Sequence, residues 1–102
     1  MTVNLTPLDV CKRLIGREEV LADICSVHAK APYHWNRAAA YRDAGDVPSA
    51  RYQRVLLRHS EQHKLGLTAR HLIEGAPEAE IEAILAARAA APLMQDGPQE
   101  AA

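Results

Sequence analysis

Lys30, Tyr33, His34 and Arg37 recur at separations of three, four and seven residues, the spacing that stacks side chains along one face of a helix. Each side chain is long and ends in a hydrogen-bonding or charged group. A helix with such a face suits the major groove of B-DNA, where base edges offer donors, acceptors and the thymine methyl. Lys30 can donate to guanine N7 or O6. Tyr33 and His34 can make polar contacts, and Tyr33 can also pack on a thymine methyl. Arg37 lies a turn further on, within reach of a base or a phosphate. Phosphate contacts position a protein on the duplex, and basic side chains and helix N-termini supply them. His28, Arg42, Arg51 and Arg54 are the candidates for that role. Arg58 extends the stripe of Arg51 and Arg54, which a surface helix also carries for solubility alone. The competing reading of the whole set is a solvated face on a small helical bundle.

Charge is distributed in the same sense. The 102 residues carry a formal net charge of −1, low for a nucleic-acid binder, but the charges are segregated. Residues 28–71 hold eight lysines and arginines against three acids, and all five histidines fall there. The remainder is acidic. One basic face with acidic ends is the footprint of a protein that binds a polyanion selectively.

Other reactive residues give weaker patterns. His59 and His63 stand i, i+4, a spacing that can place two imidazoles on one metal, but no further ligands are spaced to complete a site. Cys25 with His28 or His34 has the types of a nucleophile and its base, yet Cys25 belongs to an apolar turn. There is no glycine-rich phosphate loop and no pair of catalytic carboxylates. No enzyme activity, metal, cofactor or small-molecule substrate is expected.

The elements that must position these residues read as helices. Apolar residues make up 48% of the chain, many of them Ala, with no Phe, and no run approaches the ~18 residues that span a membrane. The start lacks a basic region followed by an apolar one, so no signal peptide is expected. Thr6-Pro7 caps a first helix to about Ile15, with Leu8, Cys11, Leu14 and Ile15 inward and Gly16 after it. A second covers about Arg17–Cys25, with Val20, Leu21 and Ile24 on its stripe. Cys25, Ser26 and Val27 form a turn, and a third helix runs from about Lys30 to Ala39 with Pro32 and Trp35 inward. A fourth covers Pro48–His63, with Tyr52, Val55, Leu56 and His59 inward and Arg51, Arg54 and Arg58 outward. Thr68 caps a short fifth that Gly75 ends, and a sixth runs over about 77–91 with Ile81, Ile84 and Leu85 as its stripe. Residues 92–102 read as a disordered tail, and no strand signal is evident. Cys11 and Cys25 read as small buried hydrophobes in a reducing cytosol.

The register Leu21-Ala22, Cys25-Ser26-Val27, Pro32 and Trp35 resembles that of the Cro and lambda-repressor-like helix-turn-helix family. There a Leu-Ala pair precedes a Leu-Gly-Val turn and a recognition helix ending near an aromatic. Ser26 stands where that family usually has Gly, a substitution that costs about 1 kcal/mol if the backbone is left-handed. Pro32 requires the recognition helix to start near Lys30 or Ala31. The resemblance implies a compact all-α bundle of five or six helices over residues 1–91, with the helix-turn-helix over about 18–37. By the family register Ala29 sits at the tip beside Lys30 and touches a thymine methyl. The implied function is sequence-specific binding of double-stranded DNA as a transcriptional regulator, most simply a repressor in the cytoplasm and nucleoid. It acts as a homodimer on a pseudo-palindromic site, with the sixth helix closing the core or pairing with its copy. The alternatives are a protein-interaction module (an antitoxin or adaptor) on the same helical fold, and a non-specific nucleoid binder.

Overall fold

The computed structural model describes residues 3–40 and 42–101, with side chains described as far as residue 90. In chain order its elements are β1 (Asn4–Leu5), α1 (Pro7–Leu14), α2 (Glu18–Cys25), α3 (Ala31–His34), α4 (Ala50–His63), α5 (Ala69–Glu74), β2 (Ala76–Pro77) and α6 (Glu78–Ala101). The chain is mostly helical, as composition and periodicity predict. No helix among the described residues is long and apolar enough to cross a membrane.

Helix α1 starts as expected. The Thr6 hydroxyl accepts the Asp9 amide at 3.2 Å, and Pro7 occupies the first turn, where its missing N–H costs nothing. Leu8, Val10, Cys11 and Leu14 are each at most 1% exposed, because α2, α5 and α6 all pack against this helix. The antiparallel pairing of β1 with β2 was not foreseen. Strands of two residues carry no periodicity to read, yet they tie the start of the chain to the start of α6. The join depends on Gly75, whose φ is +76° and whose missing Cβ would lie 2.0 Å from the Leu5 carbonyl oxygen.

Helix α2 buries Leu21, Ala22 and Cys25, but Val20, expected on its stripe, is 45% exposed. Glu18 takes the inward position instead, its stem buried and its carboxylate paired with Lys12 at 3.0 Å. That hydrogen bond, ahead of the helix-start amides, holds the Glu18 carboxyl below its ordinary pKa. The helix ends at Ser26, left-handed at φ 58°, ψ 45°. The Ser26 amide donates to the Asp23 carbonyl at 3.2 Å and the Val27 amide to the Ala22 carbonyl at 3.0 Å. This is a Schellman cap, with Ser in the place that favours Gly.

The expected third helix, Lys30–Ala39, is corrected to a single turn, Ala31–His34. The reason lies in where its carbonyls point. The Trp35 carbonyl, which a continuing helix would offer to Ala39, accepts the Gly45 amide at 2.8 Å, while Ala39 pairs with Arg42 across a tight turn. Helix α4 begins at Ala50 rather than Pro48, because the Ser49 hydroxyl accepts the Tyr52 amide and makes Ser49 the cap. Its innermost residues are Leu56 and Ser60, with Tyr52, Val55 and His59 only half-buried. The Ser60 hydroxyl is satisfied by the Leu67 amide at 2.9 Å.

Thr68 caps α5 as expected, in a reciprocal box with His71. His71 is 2% exposed, and its Nε2 lies 2.6 Å from a Glu80 carboxylate oxygen, which fastens α5 to α6. Ile81 is fully buried, and Ile84 and Leu85 pack on the core. Arg88 donates to the Leu14 carbonyl at 2.8 Å, satisfying the open end of α1. Helix α6 extends past the expected end near residue 91; the tail expected over 92–102 lies outside the residues whose side chains are described. Cys11 and Cys25 are free and buried. Burial pushes their thiols up to about 12 and about 11, so both stay protonated at neutral pH.

Ser26→Gly removes a left-handed penalty of about 1 kcal/mol, partly offset by a more flexible unfolded chain. The variant should melt a few degrees higher by calorimetry; an unchanged or lower Tm would show that the cap conformation carries no such strain.

Candidate functional site

Three contacts pin α3 from its inner side. Pro32 and Trp35 are buried, Trp35 to 4% exposure. The Trp35 ring stacks on Tyr52 of α4, with centroids 5.8 Å apart and planes at 23°. Gly45, at φ +88°, donates its amide to the Trp35 carbonyl and accepts the Leu8 amide, both at 2.8 Å. The end of α3 is thereby coupled to the start of α1.

With that side fixed, the outward residues follow. His28, Ala29, Lys30, Tyr33, His34 and Arg37 are all exposed. Four of them, Ala29, Lys30, Tyr33 and His34, share the wall of one cleft of about 460 Å³. No Asp or Glu occurs between Ile24 and Arg42, so this stretch of surface is positive. The one acid in the cleft is Glu19 of α2, whose carboxylate accepts the Tyr33 hydroxyl. This bond is the main reason that the Glu19 carboxyl lies below, and the Tyr33 hydroxyl above, its ordinary pKa. Sequence reasoning missed Glu19. The signal was present in the helical period, which turns positions 19 and 23 outward when 18, 21, 22 and 25 turn in.

The other candidates are spread around this cleft. The His28 ring accepts the Lys30 amide at 3.1 Å, closing the turn that leads into α3. Arg42, expected to reach a phosphate, donates through Nη2 to the His34 carbonyl at 2.9 Å, and its Nε is enclosed without a partner among the described residues. It holds the carbonyl end of α3. Arg51 is exposed in the first turn of α4, next to the Tyr52 that stacks on Trp35. Arg54 lies apart, on the groove between α4 and α5, and Arg58 lines a groove between α2 and α4. The arginine stripe of α4 therefore serves more than one face.

Cys25 and the His59–His63 pair were the other reactive groups in the sequence. Cys25 is buried and its thiol pushed up to about 11, the opposite of an activated nucleophile. The His59 and His63 rings lie 4.4 Å apart. Burial first, then His63, lowers the pKa of His59. Among the described residues no three metal-ligating side chains converge. Comparison with models of protein families, with curated proteins and with solved structures finds no match.

Tyr33→Phe should raise the Glu19 pKa toward the ordinary carboxylate value, since a hydrogen bond to the charged form is lost. Carboxyl-carbon NMR titration reads this directly; an unmoved Glu19 would show that the hydroxyl does not engage it.

Proposed function

We propose that this chain binds double-stranded DNA sequence-specifically, as a Cro- or lambda-repressor-like helix-turn-helix regulator, most simply a repressor within the nucleoid. The observation that carries the reading is the pinning of α3: Pro32 and Trp35 face inward while Ala29, Lys30, Tyr33 and His34 face outward on an acid-free stretch. In this arrangement α2 and the Ser26 cap form the first half of the motif. The groove is read by the tip and first turn of the second helix, where base contacts of such motifs concentrate, so a one-turn α3 suffices. Lys30 donates to guanine, Tyr33 and His34 make polar or methyl contacts, and Ala29 touches a thymine methyl. Arg37, beyond the end of α3, His28 and Arg51 meet phosphates. Arg42 contributes by holding the His34 carbonyl. Glu19 repels phosphate and accepts only donors, which in the groove are the amino groups of cytosine and adenine. The partner is a pseudo-palindromic duplex bound by a homodimer, without cofactor.

The second reading, a protein-interaction module, is favoured by one feature: the cleft beside the 40%-exposed Tyr33 can grip a side chain. Salt dependence separates the two, because counterion release gives a steep slope for DNA only.

Lys30→Ala and His34→Ala should each relax discrimination at particular bases by about 1–3 kcal/mol in fluorescence-anisotropy titrations. Arg51→Ala should weaken binding to all sequences alike and lower the salt slope by about one. If Lys30→Ala and Arg51→Ala leave affinity unchanged, the proposed docking is wrong.

A further inference from the structure

Tyr33 on α3 reaches the first turn of α2, where its hydroxyl donates to Oε2 of Glu19. An ionised carboxylate has no proton to give, so the hydrogen in this bond is the tyrosine's. With the Glu19 carboxyl held below and the Tyr33 hydroxyl above its ordinary pKa, that assignment holds at neutral pH. The bond turns a hydroxyl that could donate or accept into an acceptor alone. The second carboxylate oxygen, Oε1, has a loose 3.9 Å approach from Arg17, and both of those side chains are more than half exposed. Tyr33 Oη and Glu19 Oε1 are thus two neighbouring acceptors on the wall of one cleft. Lys30, which can only donate, shares that cleft.

The four bases answer such a pair differently in the major groove. Guanine shows only acceptors, and thymine an acceptor beside a methyl group, so both are repelled. Adenine offers its amino group, but N7 stands next to it and meets the second acceptor. Cytosine alone offers an amino donor with no acceptor beside it. The guanine paired with that cytosine shows O6 and N7, which suit the ammonium of Lys30. Phosphate is closed to Glu19, because like charges repel.

We propose that the Glu19–Tyr33 pair determines specificity on the α3 face by selecting cytosine, so that each half-site carries a C·G pair with Lys30 on its guanine. This deepens the DNA-binding reading and rests on it. The negative charge acts twice. At the right base pair it accepts from the cytosine amino group, and over any other sequence it is left facing acceptors and phosphates. Glu19 therefore lowers affinity for wrong sequences more than for the right one. Tyr33 is the positioning partner, since its hydroxyl fixes where the carboxylate points.

Selection of a random duplex library, run in parallel with the full-length wild type, Glu19→Gln and Tyr33→Phe, tests this. Both side chains are exposed, so the variants should melt close to the wild type. The wild type should enrich a C·G pair at one position of each half-site. Glu19→Gln, which can donate as well as accept, should lower the preference for cytosine there about tenfold. It should also raise affinity for unrelated duplex several-fold, because a repelling charge is gone. Tyr33→Phe should weaken the same preference but leave affinity for unrelated duplex unchanged, because the charge stays. An enriched motif in which Glu19→Gln shifts no position would overturn the proposal. So would a shift at a position that favours thymine or a purine. Absence of any enrichment by the wild type would instead overturn the DNA-binding reading, and this inference with it.

Discussion

The burial of Trp35 is the contact on which the arrangement of the outer surface depends. A four-residue helix has no stability of its own, and α3 holds its orientation because its last turn is anchored. An indole at 4% exposure is worth several kcal/mol of apolar burial. Its stack on Tyr52 and the Gly45 bridge to Leu8 fix its direction relative to α4 and α1. Once Trp35 and Pro32 point inward, helical geometry leaves Lys30, Tyr33 and His34 no direction but out. The identity of the exposed face is a consequence of the buried one.

That anchor also accounts for the shortness of α3. Extending the helix to Ala39 would return the Trp35 carbonyl to its own helix and release Gly45, uncoupling the loop from the start of α1. The chain instead takes the tertiary bond and turns, and Arg42 closes the turn by donating to the His34 carbonyl. The surface is built around a stiff turn rather than a long rod.

Much of the architecture was legible because its signals are local. Thr6-Pro7, Thr68 and Gly75 mark helix ends through single hydrogen bonds or a single φ, and each is where it was read. Pro32 and Trp35 were assigned inward from spacing alone. What escaped reading is tertiary. The end of α3 is decided by Gly45, well beyond it in the chain, and the β1–β2 pair joins Leu5 to Ala76, far apart in sequence. Val20 lost its inward place to Glu18 because Lys12 on α1 makes burial of that carboxylate tolerable. For the candidate site, the outward residues were legible from helical period. The Tyr33–Glu19 bond and the inward engagement of Arg42 were not, because both need the α2–α3 angle and the loop path.

The outward face of α3 is the surface proposed to read a duplex. The most direct measurement is selection of random double-stranded DNA by the purified chain at near-physiological salt, followed by sequencing. The expected result is an enriched motif, with inverted half-sites about one helical turn apart. Retention of DNA without enrichment, or no retention at all, would contradict it.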